Sequence, residues 1–137
     1  MKKVLVPALA SAVAMLAVGV LLGYLFDLLF PSLGVEYENA ALYRPWDDPL
    51  MYLFILQPLI LCGTLVWGWE KVKSHFQGSV GKKAFNVTLI MLILSIIPGM
   101  LMTLSSFKVS VIAIITWTIS AFFQILVASL IFIKMSK

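Results

Sequence analysis

Five of the chain's six acidic residues, Asp27, Glu36, Glu38, Asp47 and Asp48, fall between positions 27 and 48, and its one arginine, Arg44, lies among them. Carboxylates held a few ångströms apart can exchange protons with a substrate. The planar fork of Arg44 can grip a carboxylate such as Asp27 or Asp48, or an anionic headgroup, through parallel hydrogen bonds. Tyr37, Tyr43 and Trp46 are interleaved with these charges. Asp27, Glu36, Glu38, Arg44, Trp46 and Asp48 therefore form the candidate ligand site. Within it Arg44 is expected to anchor the segment through a carboxylate, and Asp27 to join an interfacial ion pair.

Other chemistry lacks its residue sets. Cys62 is the one cysteine and His75 the one histidine, so no disulfide, thiol pair, metal site or haem site is expected. No nucleophile stands beside a matching base, and no cofactor is expected.

The elements that must position these residues are set by composition. Of 137 residues, 62% are hydrophobic, and the mean hydropathy is +1.07. Soluble domains hold roughly 45–50% apolar residues. Four apolar runs, 4–30, 50–69, 85–104 and 109–133, each reach the length of about 20 residues that crosses a bilayer core. Backbone groups in lipid must be paired within the segment, and the runs lack the alternation of a barrel strand, so helices are predicted. The expected fold is an all-α integral membrane protein, an antiparallel bundle of four transmembrane helices with a folded extracytoplasmic loop, 31–49, between the first two and a cytoplasmic loop at 70–84.

Local punctuation agrees. Pro31, Ser32 and Gly34 stop the first run, and Asp47-Asp48-Pro49 starts the second with an acidic cap followed by proline. Gly78 and Gly81 mark the second loop, and Ser105-Ser106 a tight turn before the last span. The opening Met1-Lys2-Lys3 imitates a secretory signal, but the apolar run continues to Phe30, well beyond a signal's apolar core, so a retained helix is expected.

The net charge is +4, yet its placement reads as a topology signal. Lys2, Lys3, Lys71, Lys73, Lys82, Lys83, Lys134 and Lys137 fall on one side of the four spans, and Arg44 and Lys108 on the other. Both termini are thus predicted to be cytoplasmic in a multi-pass protein of the cell membrane. With no soluble basic face, nucleic acid is not an expected partner; membrane lipids are, and a second copy or another membrane protein is a further candidate.

Within the spans, Gln57 and Gln124 each need a hydrogen-bonding partner, so bonds across helices, or a polar site between them, are expected. Pro58 and Pro98 interrupt helical hydrogen bonding. Ala8 and Ala12, then Gly19 and Gly23 in G-x-x-x-G spacing, form a small-residue stripe for close helix packing. Together these features predict a noncatalytic module or accessory subunit that binds lipid, ligand or partner. One alternative is a small dimeric transporter coupled through Asp27; another is a membrane enzyme using Glu36 and Glu38.

Overall fold

With so few polar side chains to share, the backbone satisfies itself turn by turn, and every regular element is helical. The computed structural model describes residues 2–136, with Lys2 described in its backbone alone; Met1, Lys137 and the Lys2 side chain lie outside it. The helices are α1 (Lys2–Leu29), α2 (Pro31–Tyr37), α3 (Tyr52–Val72), α4 (Val80–Met91), α5 (Ile97–Ser106) and α6 (Val111–Met135). No strand occurs among the described residues. Four stretches are long and apolar enough to cross a membrane: Lys3–Leu29, Pro49–His75, Val80–Ser106 and Val111–Met135.

Each boundary has a local cause. Pro31 forces Phe30 out of helical geometry, to φ −131° and ψ 75°, which ends α1 and supplies the first residue of α2. Asp48 caps the 3₁₀ turn Pro49–Met51 that leads into α3, its Oδ1 accepting the Leu50 N–H at 2.8 Å. Another 3₁₀ turn, Lys73–His75, closes α3. Gly78 then takes φ +103°, a left-handed conformation that favours glycine. Ser79 Oγ accepts the Lys82 N–H at 3.3 Å, so the third span starts at Val80, five residues before the apolar run does. Gly81 lies inside that helix.

Pro98 has no N–H for the Leu94 carbonyl, and the chain meets this defect with a π turn over Leu92–Ile96. Ser105 and Ser106 stay helical; Ser105 Oγ donates back to the Met102 carbonyl at 2.9 Å, and the reversal falls at 107–110. Ser110 caps α6, its Oγ accepting the Ala113 N–H at 3.1 Å.

The central pair is α1 and α6, with α3 packed on α1 and α4 on α6, while α3 meets α6 chiefly through side chains toward its C-terminal end. Ala8, Ala12, Phe132 and Ala128 are buried where the central pair meets, and Ser11 Oγ donates to the Ala128 carbonyl at 3.1 Å. The alanines and Ser11 are small enough for the two helix backbones to approach closely. One core cluster joins Ala8, Val66, Trp69, Ala84 and Phe132; the next joins Ala12, Met15, Cys62, Ile125 and Ala128. Trp69 belongs to this core, 6.1 Å from the Phe132 ring, whereas Trp67 faces outward. Burial thins toward the other end, and α5 contains no buried residue.

Candidate functional site

Between α1 and α3 the chain folds α2 and an irregular stretch over the start of α6. Glu36 Oε1 accepts the backbone N–H of Ser110 at 2.9 Å and the Tyr43 hydroxyl at 3.3 Å. That N–H belongs to the capping residue of α6, where unpaired amides and the helix dipole favour an anion. Nearby, Trp117 Nε1 donates to the Tyr37 hydroxyl at 2.9 Å. The Tyr37 and Trp117 rings lie near-parallel, 6.4 Å apart, and Tyr43 meets both edge-on at 5.3 and 6.3 Å. Leu33 is 1% exposed. Glu36, Tyr37, Tyr43, Ser110 and Trp117 thus clamp this segment to α6.

The clamp perturbs its own titrations. Partial burial works against the charge on Glu36, but hydrogen bonds from Ser110 and Tyr43 outweigh it and hold the carboxyl below its ordinary value of 4.5. Burial, followed by the Glu36 charge, pushes the Tyr43 hydroxyl up to about 12. Tyr37 is also raised, chiefly by burial, against a lowering contribution from the Trp117 hydrogen bond.

Arg44 pairs with Asp48, one of the two carboxylates that the sequence offered it. It donates from Nη1 to Asp48 Oδ2 at 2.9 Å, and this pair is exposed and spans one turn of a single segment. It therefore ties no two elements together. Asp48 is held below its ordinary value by the Leu50 N–H first and by Arg44 second. Asp27, expected in an ion pair, is exposed and joins neither salt bridge found among the described residues; Arg44 reaches Asp48 four residues away instead. Glu38 is exposed. Arg44, Trp46, Asp47 and Asp48 stay on display, and Trp46, Asp47, Asp48, Met51, Tyr52 and Ile55 line a shallow cleft of about 170 Å³. Trp46 is 77% exposed, with its ring edge-on to Phe54 at 5.7 Å.

The glutamines part company. Gln124 is half-buried and lies over Gly19, where an added Cβ would sit 3.2 Å from its Nε2. Gln57 is exposed, so the two amides do not share a buried site. Gly23 has nothing within 4 Å of an added Cβ. Three of the four stripe residues, Ala8, Ala12 and Gly19, pack within this chain, and only Gly23 stays open.

At the opposite end, Trp69, Lys73, Ser74, Val80, Lys83 and Ser136 help line a cleft of about 340 Å³. Lys73 Nζ donates there to Glu70 at 2.9 Å and to the Ser136 carbonyl at 3.1 Å, fastening the end of α3 to that of α6. Among the described residues no three His, Cys, Asp or Glu side chains are grouped to hold a metal ion.

Sequence reasoning missed Ser110 and Trp117 as partners of the acidic segment. A signal was present: Ser110, the second residue of the last apolar run, is a capping residue type directly before an unbroken apolar stretch, and Trp117 follows it by seven residues, two turns along the same helix face. Compared with protein-family models, with curated proteins and with solved structures, the chain matches none.

Proposed function

We propose that this chain is a noncatalytic, multi-pass module of the cell membrane, an antiparallel four-helix bundle whose extracytoplasmic cap, residues 31–49, binds an amine-bearing phospholipid headgroup. The antiparallel course is supported by the order of the core: from Ala8 to Met15 along α1, the neighbours run back from Phe132 to Ile125 on α6 and from Val66 to Cys62 on α3. Cytoplasmic termini are supported by the excess of lysine at the end that holds Lys73 and Lys83.

The binding reading is carried by the division of labour within the cap. Glu36, Tyr37 and Tyr43 are committed to the clamp on α6 and Asp48 to Arg44 and the Leu50 N–H, which leaves Trp46 and Asp47 uncommitted among the described residues of the cleft. An ammonium group suits the carboxylate of Asp47 and the face of the Trp46 indole. The phosphate of the same headgroup suits the exposed Arg44, and the apolar Met51 and Ile55 of the cleft suit its glycerol end. Such a group lies at the depth where Trp and Tyr collect in membrane proteins.

The test is native mass spectrometry of protein released from nanodiscs containing equal phosphatidylethanolamine and phosphatidylglycerol. Wild type is expected to retain phosphatidylethanolamine preferentially, and Trp46→Ala and Asp47→Asn to lose that preference. Equal retention of the two lipids by wild type, or unchanged preference in both variants, overturns the reading.

A further inference from the structure

An amide on the outward face of a span has no partner that lipid tails can supply. Gln57 is exposed on α3, eight residues or about 12 Å below Pro49, where the second span begins. No side-chain hydrogen bond to it occurs among the described residues, whereas Thr64 on the same face satisfies its hydroxyl with the Ile60 carbonyl at 2.9 Å. An amide left in hydrocarbon with its donors and acceptor unmet is strongly disfavoured.

The surroundings of Gln57 are organised. Leu53, Gln57, Ile60, Thr64 and Trp67 follow one another in alternating steps of four and three residues, and all are exposed. This spacing averages 3.5 residues, the repeat of a seam along which two helices can interdigitate. The inward packing of α3 uses other positions, Pro58, Cys62, Val66 and Trp69, so the seam is a separate face and remains uncovered after the bundle has formed. The G-x-x-x-G stripe is no substitute, because Gly19 already lies under Gln124.

We infer that a second copy of this chain covers the seam, in a parallel two-fold dimer through α3 with Gln57 facing Gln57. Identical chains insert in the same direction, so the second copy brings its own amide to the same depth. Each amide offers both a donor and an acceptor, and a two-fold axis makes the pair reciprocal. A different partner would need an equivalent group at that depth; the second copy has it by construction. The inference rests on the membrane-spanning reading and is independent of what the cap binds.

The experiment is single-molecule photobleaching of the full chain in phosphatidylcholine vesicles under serial dilution, combined with oxidative cross-linking of introduced cysteines; Cys62, fully buried, stays silent. Wild type is expected to bleach in two steps, and Gln57→Leu to dissociate at about tenfold higher density, the scale of one interhelical polar contact. Ile60→Cys and Thr64→Cys should cross-link readily, and the equally exposed Val13→Cys of α1 and Leu101→Cys of α5 should not. One-step bleaching of wild type at every density, dimers of undiminished affinity in Gln57→Leu, or equal cross-linking through Leu101→Cys overturns the proposal. Alkaline extraction checks insertion separately: release from the vesicles overturns the spanning reading itself.

Discussion

Glu36 is the residue on which the cap turns. Its carboxylate closes the N-terminus of α6 through the Ser110 N–H, an arrangement in which charge contributes on the order of 1 kcal/mol. Glu36→Gln is expected to lower stability in detergent by about that amount at neutral pH. Because the folded-state value lies below the ordinary 4.5, the contribution is complete above 4.5 and lost as pH falls through the depressed value. Melting midpoints of wild type and Glu36→Gln should therefore converge in acid; a constant gap down to pH of about 3 would show that the charge is not responsible. The same substitution removes the second cause of the Tyr43 shift, so the last tyrosinate absorbance to appear in alkali should move to lower pH. Arg44→Ala, which breaks an exposed pair, should leave the midpoint in place. Nothing local distinguishes Glu36 from Glu38. The distinction is made by Ser110, 74 residues further along the chain.

Among the elements, α1 sorts two glycines that look equivalent on paper. Gly19 is covered by Gln124, and Gly23 has open space around it. Gly19→Leu is expected to cost about 1–3 kcal/mol by overpacking against α6, and Gly23→Leu to be close to neutral, as read by thermal unfolding in one detergent. Equal losses would mean that α1 meets α6 along a different line. Caps were legible from the residues alone: Asp48 with Pro49 behaves as its sequence position implies. The start of α4 was not, because Val80-Gly81-Lys82-Lys83 is too polar to be counted within an apolar run, although Ser79 caps it. The π turn before Pro98 follows from a missing N–H that sequence can locate but whose repair it does not specify.

For the molecule as a whole, the course of the chain can be checked by labelling from either side of the membrane. Ala41→Cys, exposed in the cap, is expected to react with an impermeant maleimide applied to intact cells, and Gln77→Cys, exposed between α3 and α4, only after permeabilisation. The reverse pattern would invert the orientation, and labelling of both from one side would break the antiparallel course. Length, composition and punctuation by themselves determined that four helices long enough to span a bilayer exist and where the first and last of them end, while the second and third run up to six residues into the expected loop 70–84, because apolar length marks a span but polar residues can extend its helix. Only the tertiary structure decided that Glu36 is a clamp and Arg44 is not, that Gly19 is covered and Gly23 open, and that Gln57 faces outward while Gln124 packs inside. The reason is physical: a helix that is apolar all round carries no amphipathic pattern to tell its buried face from its lipid face. That choice is made by the shapes and polar groups of neighbouring helices, here set by the close contact of α1 with α6.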